Sequence, residues 1–318
     1  MVLAILFIVL GLVLLVVGGE ALVKGALRFA QRLRISPTII GLTVVAAGTS
    51  MPEMVVSVGA SLKGSGGIAL GNVVGSNLFN ITAILGIAAL IRPLAIKGNT
   101  VRMEWPVMML ASFLLLLLAR DGVIDRLEGG FFAISLVIFT LYAIHVARRS
   151  ATPEEREEFS NSASPPTANQ RPLWVSALFV IGGIAALSGG ATLLIEGAVT
   201  VAESLGVSET VIGLTIIAAG TSLPELAASC MASLRGNSDI AVANVIGSNI
   251  FNVLGICGVA ALVHPLDVSP QLLASDMWWM LGATLLLLPL MRSGMTVSRF
   301  EGGVLLIGFA GYIVLLLV

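Results

Sequence analysis

Apolar residues run along this chain in blocks of about twenty, the length a helix needs to cross a bilayer. Polar and charged residues collect between the blocks. The pattern predicts ten membrane-crossing helices, at roughly 3–30, 37–62, 68–91, 101–119, 126–146, 174–200, 209–233, 240–263, 272–290 and 299–317. A transmembrane β-barrel would show alternating segments of about ten residues instead, and the chain has no such rhythm. One long polar stretch, Arg148 to Pro172, is rich in Ser, Pro, Asn and charge and reads as a flexible linker. Within it, Thr152-Pro153-Glu154-Glu155 has the order of a helix N-terminal cap. The linker (148–173) separates a first five-helix repeat (1–147) from a second (174–318).

Composition turns the helices into membrane helices. The chain is 57% hydrophobic and 11% charged, with mean hydropathy +1.03. Soluble domains carry about 25% charged residues, so an integral protein of the lipid bilayer is expected. A net charge of −1 says nothing about partners; the lipid bilayer is the expected surrounding, and no nucleic-acid partner is expected. Cys230 and Cys257 lie in apolar runs and read as small core residues. Residues 1–17 contain no basic residue, so they read as a first membrane helix rather than a cleaved signal. Of the 17 Lys and Arg, only Lys63, Arg120 and Arg126 fall on one side of a ten-span topology; the other fourteen fall on the opposite side. The positive-inside rule then places both termini outside and the linker in the cytoplasm, which suits a prokaryotic plasma membrane.

The two halves are copies. Gly41-Leu-Thr-Val-Val-Ala-Ala-Gly-Thr-Ser-Met-Pro-Glu53 returns as Gly213-Leu-Thr-Ile-Ile-Ala-Ala-Gly-Thr-Ser-Leu-Pro-Glu225, ten of thirteen positions identical at an offset of 172. Ser36-x-Thr38 matches Ser208-x-Thr210, Gly25-Ala26 matches Gly197-Ala198, and Arg92-Pro93-Leu94 matches His264-Pro265-Leu266. Glu128-Gly129-Gly130 matches Glu301-Gly302-Gly303 with one residue of slippage. Five spans per half is an odd number, so the second copy enters the membrane from the opposite side. Inverted repeats of this kind bind substrate midway, between the repeats.

The repeated line also carries chemistry. Pro52 has no N–H for the carbonyl of Gly48 and crowds it, so helices 2 and 7 are expected to break, the first between Ala46 and Pro52. Broken backbone inside a membrane is tolerated where protein or a watery cavity surrounds it. The break offers carbonyl oxygens beside the hydroxyls of Thr49 and Ser50, and Glu53 follows in the next turn. Thr221, Ser222 and Glu225 repeat the set. A carboxylate can merely cap a half-helix; two at equivalent positions, each costly in lipid, point to function. One span later, Asn72-Val-Val-Gly-Ser76-Asn77-Leu-Phe-Asn80 pairs with Asn244-Val-Ile-Gly-Ser248-Asn249-Ile-Phe-Asn252. Steps of four place Asn72, Ser76 and Asn80 on one helix face, and Asn244, Ser248 and Asn252 likewise. Helix packing through amides and glycine accounts best for Asn72, Asn77, Asn244 and Asn249.

Two carboxylates, amides, hydroxyls and carbonyls form an all-oxygen shell. His145 and His264 lie at span ends, so soft metals are disfavoured and Ca²⁺ or Na⁺ suits the site. No cofactor is expected. No His or Lys stands near Ser50 or Ser222 to activate a nucleophile, so an enzyme is not expected. An inverted duplication fits a carrier better than a channel with a filter on its symmetry axis.

The Gly-Thr-Ser-x-Pro-Glu and Gly-Ser-Asn-x-x-Asn pairs resemble the α-repeats of the calcium/cation antiporter superfamily, sodium/calcium exchangers in particular. The resemblance covers nearly the whole chain. It implies an all-α membrane protein of ten helices in two inverted repeats, with four central ion sites among spans 2, 3, 7 and 8. By that likeness Glu53 and Glu225 are the main Ca²⁺ ligands, joined by Thr49, Ser50, Thr221, Ser222, Ser76, Ser248, Asn80 and Asn252 and by the carbonyls of Ala46 and Ala218. Spans 1 and 6 slide against the rest. The function implied is Na⁺/Ca²⁺ antiport; a divalent-cation/H⁺ antiporter is the alternative. Exchangers of this kind often carry Asp where this chain has Asn252, so one titratable charge is missing here. The linker is too short to hold a calcium-sensing domain.

Overall fold

The computed structural model describes residues 2–33, 35–149, 172–205 and 218–317. Eight helices among these are long and apolar enough to cross a membrane. They are Val2–Leu33 (span 1), Gly66–Ile91 (span 3), Thr100–Asp121 (span 4), Arg126–Arg149 (span 5), Leu173–Ser204 (span 6), Ser238–Val263 (span 8), Leu272–Arg292 (span 9) and Arg299–Leu317 (span 10). Pro37–Thr49 and Met51–Leu62, bent by 47° at their junction, make span 2. Of span 7, Ala218–Gly220 and Leu223–Leu234 are described. Residues 209–217, Ser208 and most of the linker, with its Thr152–Glu155 cap, lie outside the described residues. The chain is nearly all helical, and the described elements are consistent with ten spans.

Spans 1 and 6 show how the repeats are related. A Cβ on Gly11 would stand 2.7 Å from the carbonyl of Gly190, and one on Gly18 would stand 2.9 Å from that of Gly183. At one end Gly197 meets the carbonyl of Ala4, and at the other Gly25 meets Val180. From Ala4 to Gly11 to Gly18 the index rises by seven while its partner, from Gly197 to Gly190 to Gly183, falls by seven, two helical turns at a time. The helices therefore run antiparallel, backbone against backbone, along a seam that only small residues permit. Spans 1 and 6 are repeat-equivalent, so their antiparallel course is the inversion itself.

Reciprocal contacts join the halves elsewhere. Strand β1 (Leu94–Ala95) pairs with β4 (Thr296–Val297), and β2 (Val123–Ile124) with β3 (Leu266–Asp267), all antiparallel. Each pair takes one strand from each repeat. The N–H groups of Ile96 and Val268 extend the pairs to the carbonyls of Met295 and Gly122, both at 2.8 Å. Gly122 and Gly294, 172 apart, hold φ of +92° and +66° at the turns entering β2 and β4, where a side chain would be strained. Ser61 donates to the carbonyl of Ala260 at 2.7 Å, and Ser233 to that of Ala88 at 2.8 Å. Glu128 and Glu301 close capping boxes with Asp125 and Ser298, which explains that repeated pair structurally. Glu20 pairs with Lys24 at 2.7 Å and also with Arg235, as a structural ion cluster. Cys257 is buried and Cys230 half-buried, both free.

Candidate cation site

Both copies of the repeated line break their helix the same way. Ser50 has φ −84° and ψ 9°, and Ser222 has φ −89° and ψ 9°. Pro52 and Pro224 fall in the first turn of the following half-helices, Met51–Leu62 and Leu223–Leu234, where a missing N–H costs nothing. Glu53 and Glu225 sit in that same turn, at the positive end of the helix dipole. The motif glycines admit span 6: Ile184 lies against Gly48 and Ile195 against Gly220.

The two copies are cross-wired. The Ser222 hydroxyl donates to Glu53 Oε1 at 2.9 Å, and the Ser50 hydroxyl donates to Glu225 Oε1 at 2.7 Å. Ser76 comes within 3.3 Å of the Ser222 hydroxyl. The Thr49 hydroxyl lies 3.3 Å from both the Ala46 carbonyl and Asn244 Oδ1. The Ala46 carbonyl also accepts the Ser50 N–H at 3.0 Å. Thr221 stands beside Glu53, and Ala218 opens the short helix before it. Glu53 and Glu225 are each 1% exposed and close enough to repel one another. Neither has a Lys, Arg or His partner among the described residues. The descent of span 8 beside span 2 depends on Gly247, where a Cβ would meet Leu42 and Ala46.

Seven buried side-chain polar atoms have no hydrogen-bond partner in the protein among the described residues. Five of them are Glu53 Oε2, Glu225 Oε2, Asn80 Oδ1, Asn252 Oδ1 and Ser248 Oγ, all on residues that the sequence pattern nominates. Four of these are pure acceptors. A buried acceptor left unmet costs about 1–3 kcal/mol, more when charged. Five of them together approach the net stability of a typical domain, about 5–15 kcal/mol. What answers a set of oxygen acceptors without competing for their lone pairs is a hard cation.

The amides next to these groups make the interhelical hydrogen bonds expected of them. Asn72 donates to Ser57 at 2.9 Å and to the Glu53 carbonyl at 3.4 Å; Asn244 does the same to Ser229 and the Glu225 carbonyl, at 2.9 and 3.4 Å. They tie the second motif to the half-helix bearing the carboxylate. Asn252 Nδ2 donates to Asn77 Oδ1 at 3.0 Å, and Asn80 Nδ2 to Asn249 Oδ1 at 3.3 Å. Asn80 opens a π-helical stretch (Asn80–Ile84) and Asn252 lies in another (Phe251–Cys257), a widened turn of a kind frequent at functional sites. A second repeat-equivalent acidic pair was overlooked, although the 172 offset relates its members. Glu104 accepts the Thr100 hydroxyl at 2.9 Å, and Asp276 the Tyr312 hydroxyl at 3.3 Å, both buried in spans 4 and 9.

Known proteins are similar to this chain along nearly its whole length. CaxA of Alkalimonas amylolytica, which bears an antiporter designation, is 40% identical over 98% of each chain. The sodium/calcium exchanger MaX1 of Methanosarcina acetivorans is 33% identical over 98% of this chain and 97% of its own. The solved structure of the sodium-calcium exchanger NCX_Mj soaked with Na⁺ and Ca²⁺ superposes with a TM-score of 0.85, at 30% identity, over 99% of this chain and 98% of that one. The profile of the family described as "Sodium/calcium exchanger protein" matches residues 3–145 and 175–318, nearly all of both repeats. An inverted pair of repeats and a matched profile across both halves lead to one conclusion: this chain belongs to the sodium/calcium exchanger protein family, a family of membrane transporters rather than enzymes.

Proposed function

We propose that this protein is a Na⁺/Ca²⁺ antiporter that exports Ca²⁺ by alternating access at one site between the repeats. The observation that carries this reading is the group of five unpartnered oxygens on Glu53, Glu225, Asn80, Asn252 and Ser248. Two carboxylates balance one Ca²⁺ or two Na⁺, and neutral amide and hydroxyl oxygens complete a shell that either ion accepts. Ser50, Ser222, Ser76, Thr49 and Thr221 line the same place, and the carbonyls of Ala46 and Ala218 join them, that of Ala46 when its present donors, the Ser50 N–H and the Thr49 hydroxyl, move aside. Binding either cargo satisfies the buried charge; the empty carrier leaves it buried and uncompensated, which favours strict exchange over leak.

Spans 1 and 6 form the moving unit, and their close-packed seam keeps them together as they shift over the site. Both termini face outward, the linker faces the cytoplasm, and the membrane is a prokaryotic plasma membrane. A relative that is 36% identical over 87% of this chain, YrbG of Escherichia coli, is named an inner membrane protein, which supports that location.

The test is Ca²⁺ uptake into proteoliposomes loaded with Na⁺. An outward Na⁺ gradient drives uptake, and collapsing it stops uptake. Flux that ignores Na⁺ and follows a pH gradient overturns Na⁺ coupling and establishes a Ca²⁺/H⁺ antiporter. One feature favours that second reading: with Asn at both 80 and 252, Glu53 and Glu225 are the acidic residues of the cluster, and two protons would replace one Ca²⁺ without change of charge.

A further inference from the structure

The amides of Asn80 and Asn252 pose a problem that a carboxylate does not. An aspartate offers a cation two equal oxygens. An asparagine offers one oxygen and one NH₂, and with the amide reversed its protons face the ion. We propose that Met108 and Met280, acting through Asn249 and Asn77, are positioning residues that hold the amide oxygens of Asn80 and Asn252 toward the cation. The inference rests on the ion-site reading above.

The hydrogen bonds form a directed chain in each half. Met108 Sδ takes a hydrogen bond from Asn249 Nδ2 at 3.6 Å. That turns Asn249 Oδ1 to receive Asn80 Nδ2 at 3.3 Å, and Asn80 Oδ1 is left without a protein partner. In the other half, Asn77 Nδ2 donates to Met280 Sδ at 3.7 Å and to the backbone carbonyl of Asn249 at 3.3 Å. Asn77 Oδ1 then receives Asn252 Nδ2 at 3.0 Å, and Asn252 Oδ1 is likewise free.

A thioether has acceptor capacity and no donor, so it discriminates between the two ends of an amide. Reversing Asn249 sets its oxygen against the sulfur and its NH₂ against that of Asn80. Both contacts become repulsive, and the reversal propagates unless Asn80 turns its own NH₂ toward the cation. All six side chains are 0–1% exposed, so bulk water does not supply the missing partners. Met108 and Met280 are themselves 172 residues apart, so the device occurs once per repeat. The halves differ in strength. Asn77 keeps a backbone acceptor if its sulfur is lost, whereas the acceptor of Asn249 is the sulfur. Met108 therefore matters more than Met280.

The experiment is Ca²⁺ titration calorimetry on the full chain in lipid nanodiscs, with M108L placed in the native and in the N80D background. Leucine keeps the volume and removes the acceptor. M108L is expected to weaken Ca²⁺ binding about 5-fold in the native background, the worth of one neutral hydrogen bond. In the N80D background it causes no loss, because a carboxylate needs no orienting and, without the sulfur, Asn249 can turn its NH₂ toward it. M280L shows a smaller loss that N252D cancels in the same way, and this second pair carries the comparison if M108L fails to fold. Equal losses in both backgrounds mean that the methionines only fill space, and no loss in the native background also overturns the proposal. If N80L itself leaves Ca²⁺ binding intact, the ion-site reading fails, a result distinct from failure of the positioning chain.

Discussion

Spans 3 and 8 contrast with spans 1 and 6. In the most apolar stretches of spans 3 and 8, 72% and 83% of residues are buried; in those of spans 1 and 6, 28% each. The buried pair carries the amides and hydroxyls and is fastened by specific hydrogen bonds: Asn77 to Asn249, Ser61 to the Ala260 carbonyl, Ser233 to the Ala88 carbonyl. The outer pair is fastened to itself by a glycine seam and, apart from the Glu20–Arg235 ion pair at its edge, the contacts seen at its glycines are aliphatic: Ile184 on Gly48, Ile195 on Gly220 and Met231 on Gly19. Directional bonds resist sliding because each has one good geometry. Dispersion contacts between smooth apolar faces change little over a small translation. The difference teaches that directional polar contacts are concentrated in the buried helices proposed to frame the ion, while the pair proposed to move was kept nearly free of them.

The largest expected effect breaks the frame at its charge. Glu53→Gln or Glu225→Gln should lower Ca²⁺ flux in proteoliposomes at least about 100-fold, since a buried paired charge is worth several kcal/mol. Both variants should still elute as folded protein by size exclusion, and normal flux in either would remove that residue from the site. The next effect tests whether spans 1 and 6 move together against the frame. In a cysteine-free background, a short bifunctional maleimide across cysteines at 20 and 235, where Glu20 now meets Arg235, should stop transport. The same reagent across the ends of spans 1 and 6 should leave it running, and the opposite pattern would show that the two helices move separately.

Smaller effects sharpen the picture. Ser50→Ala and Ser222→Ala each remove a hydroxyl from the opposite repeat's carboxylate. Each should weaken Ca²⁺ binding about tenfold, the worth of a hydrogen bond to a charged group, and measured affinities near native would place both serines outside the shell. Smallest is Glu20→Gln at the exposed ion cluster. Exposed pairs contribute little, so melting temperature and flux should stay within error, and a large loss would give this cluster a part in gating.

Much of the site was legible because it is written twice. Glu53 and Glu225, the proline after each serine, and the Asn and Ser stripes all repeat at one offset, and two-fold repetition of a feature costly in lipid separates purpose from packing. Asn77 and Asn249 were legible as packing amides, but not the partners they take: these lie in the other repeat, and helix spacing turns both residues away from the predicted stripe. The sequence carries no signal for the contacts of Met108 and Met280 with them. Strands β1 to β4, two residues each, are too short to show a period. The π-helical stretches follow from how neighbouring helices press on a turn, for which local propensity has no signal.

By itself the sequence determined the membrane spans, the duplication, the inversion that an odd span count imposes, and the broken helices bearing glutamate. These follow from solvent and local backbone chemistry: lipid demands long apolar helices, and proline denies a hydrogen bond wherever it stands. Only the tertiary structure decided which oxygens stay unpartnered, that Ser50 serves Glu225 while Ser222 serves Glu53, and which end of the Asn80 and Asn252 amides is bonded. A hydrogen bond depends on ångström distances between groups some 170 residues apart, and only the packed helices set those distances.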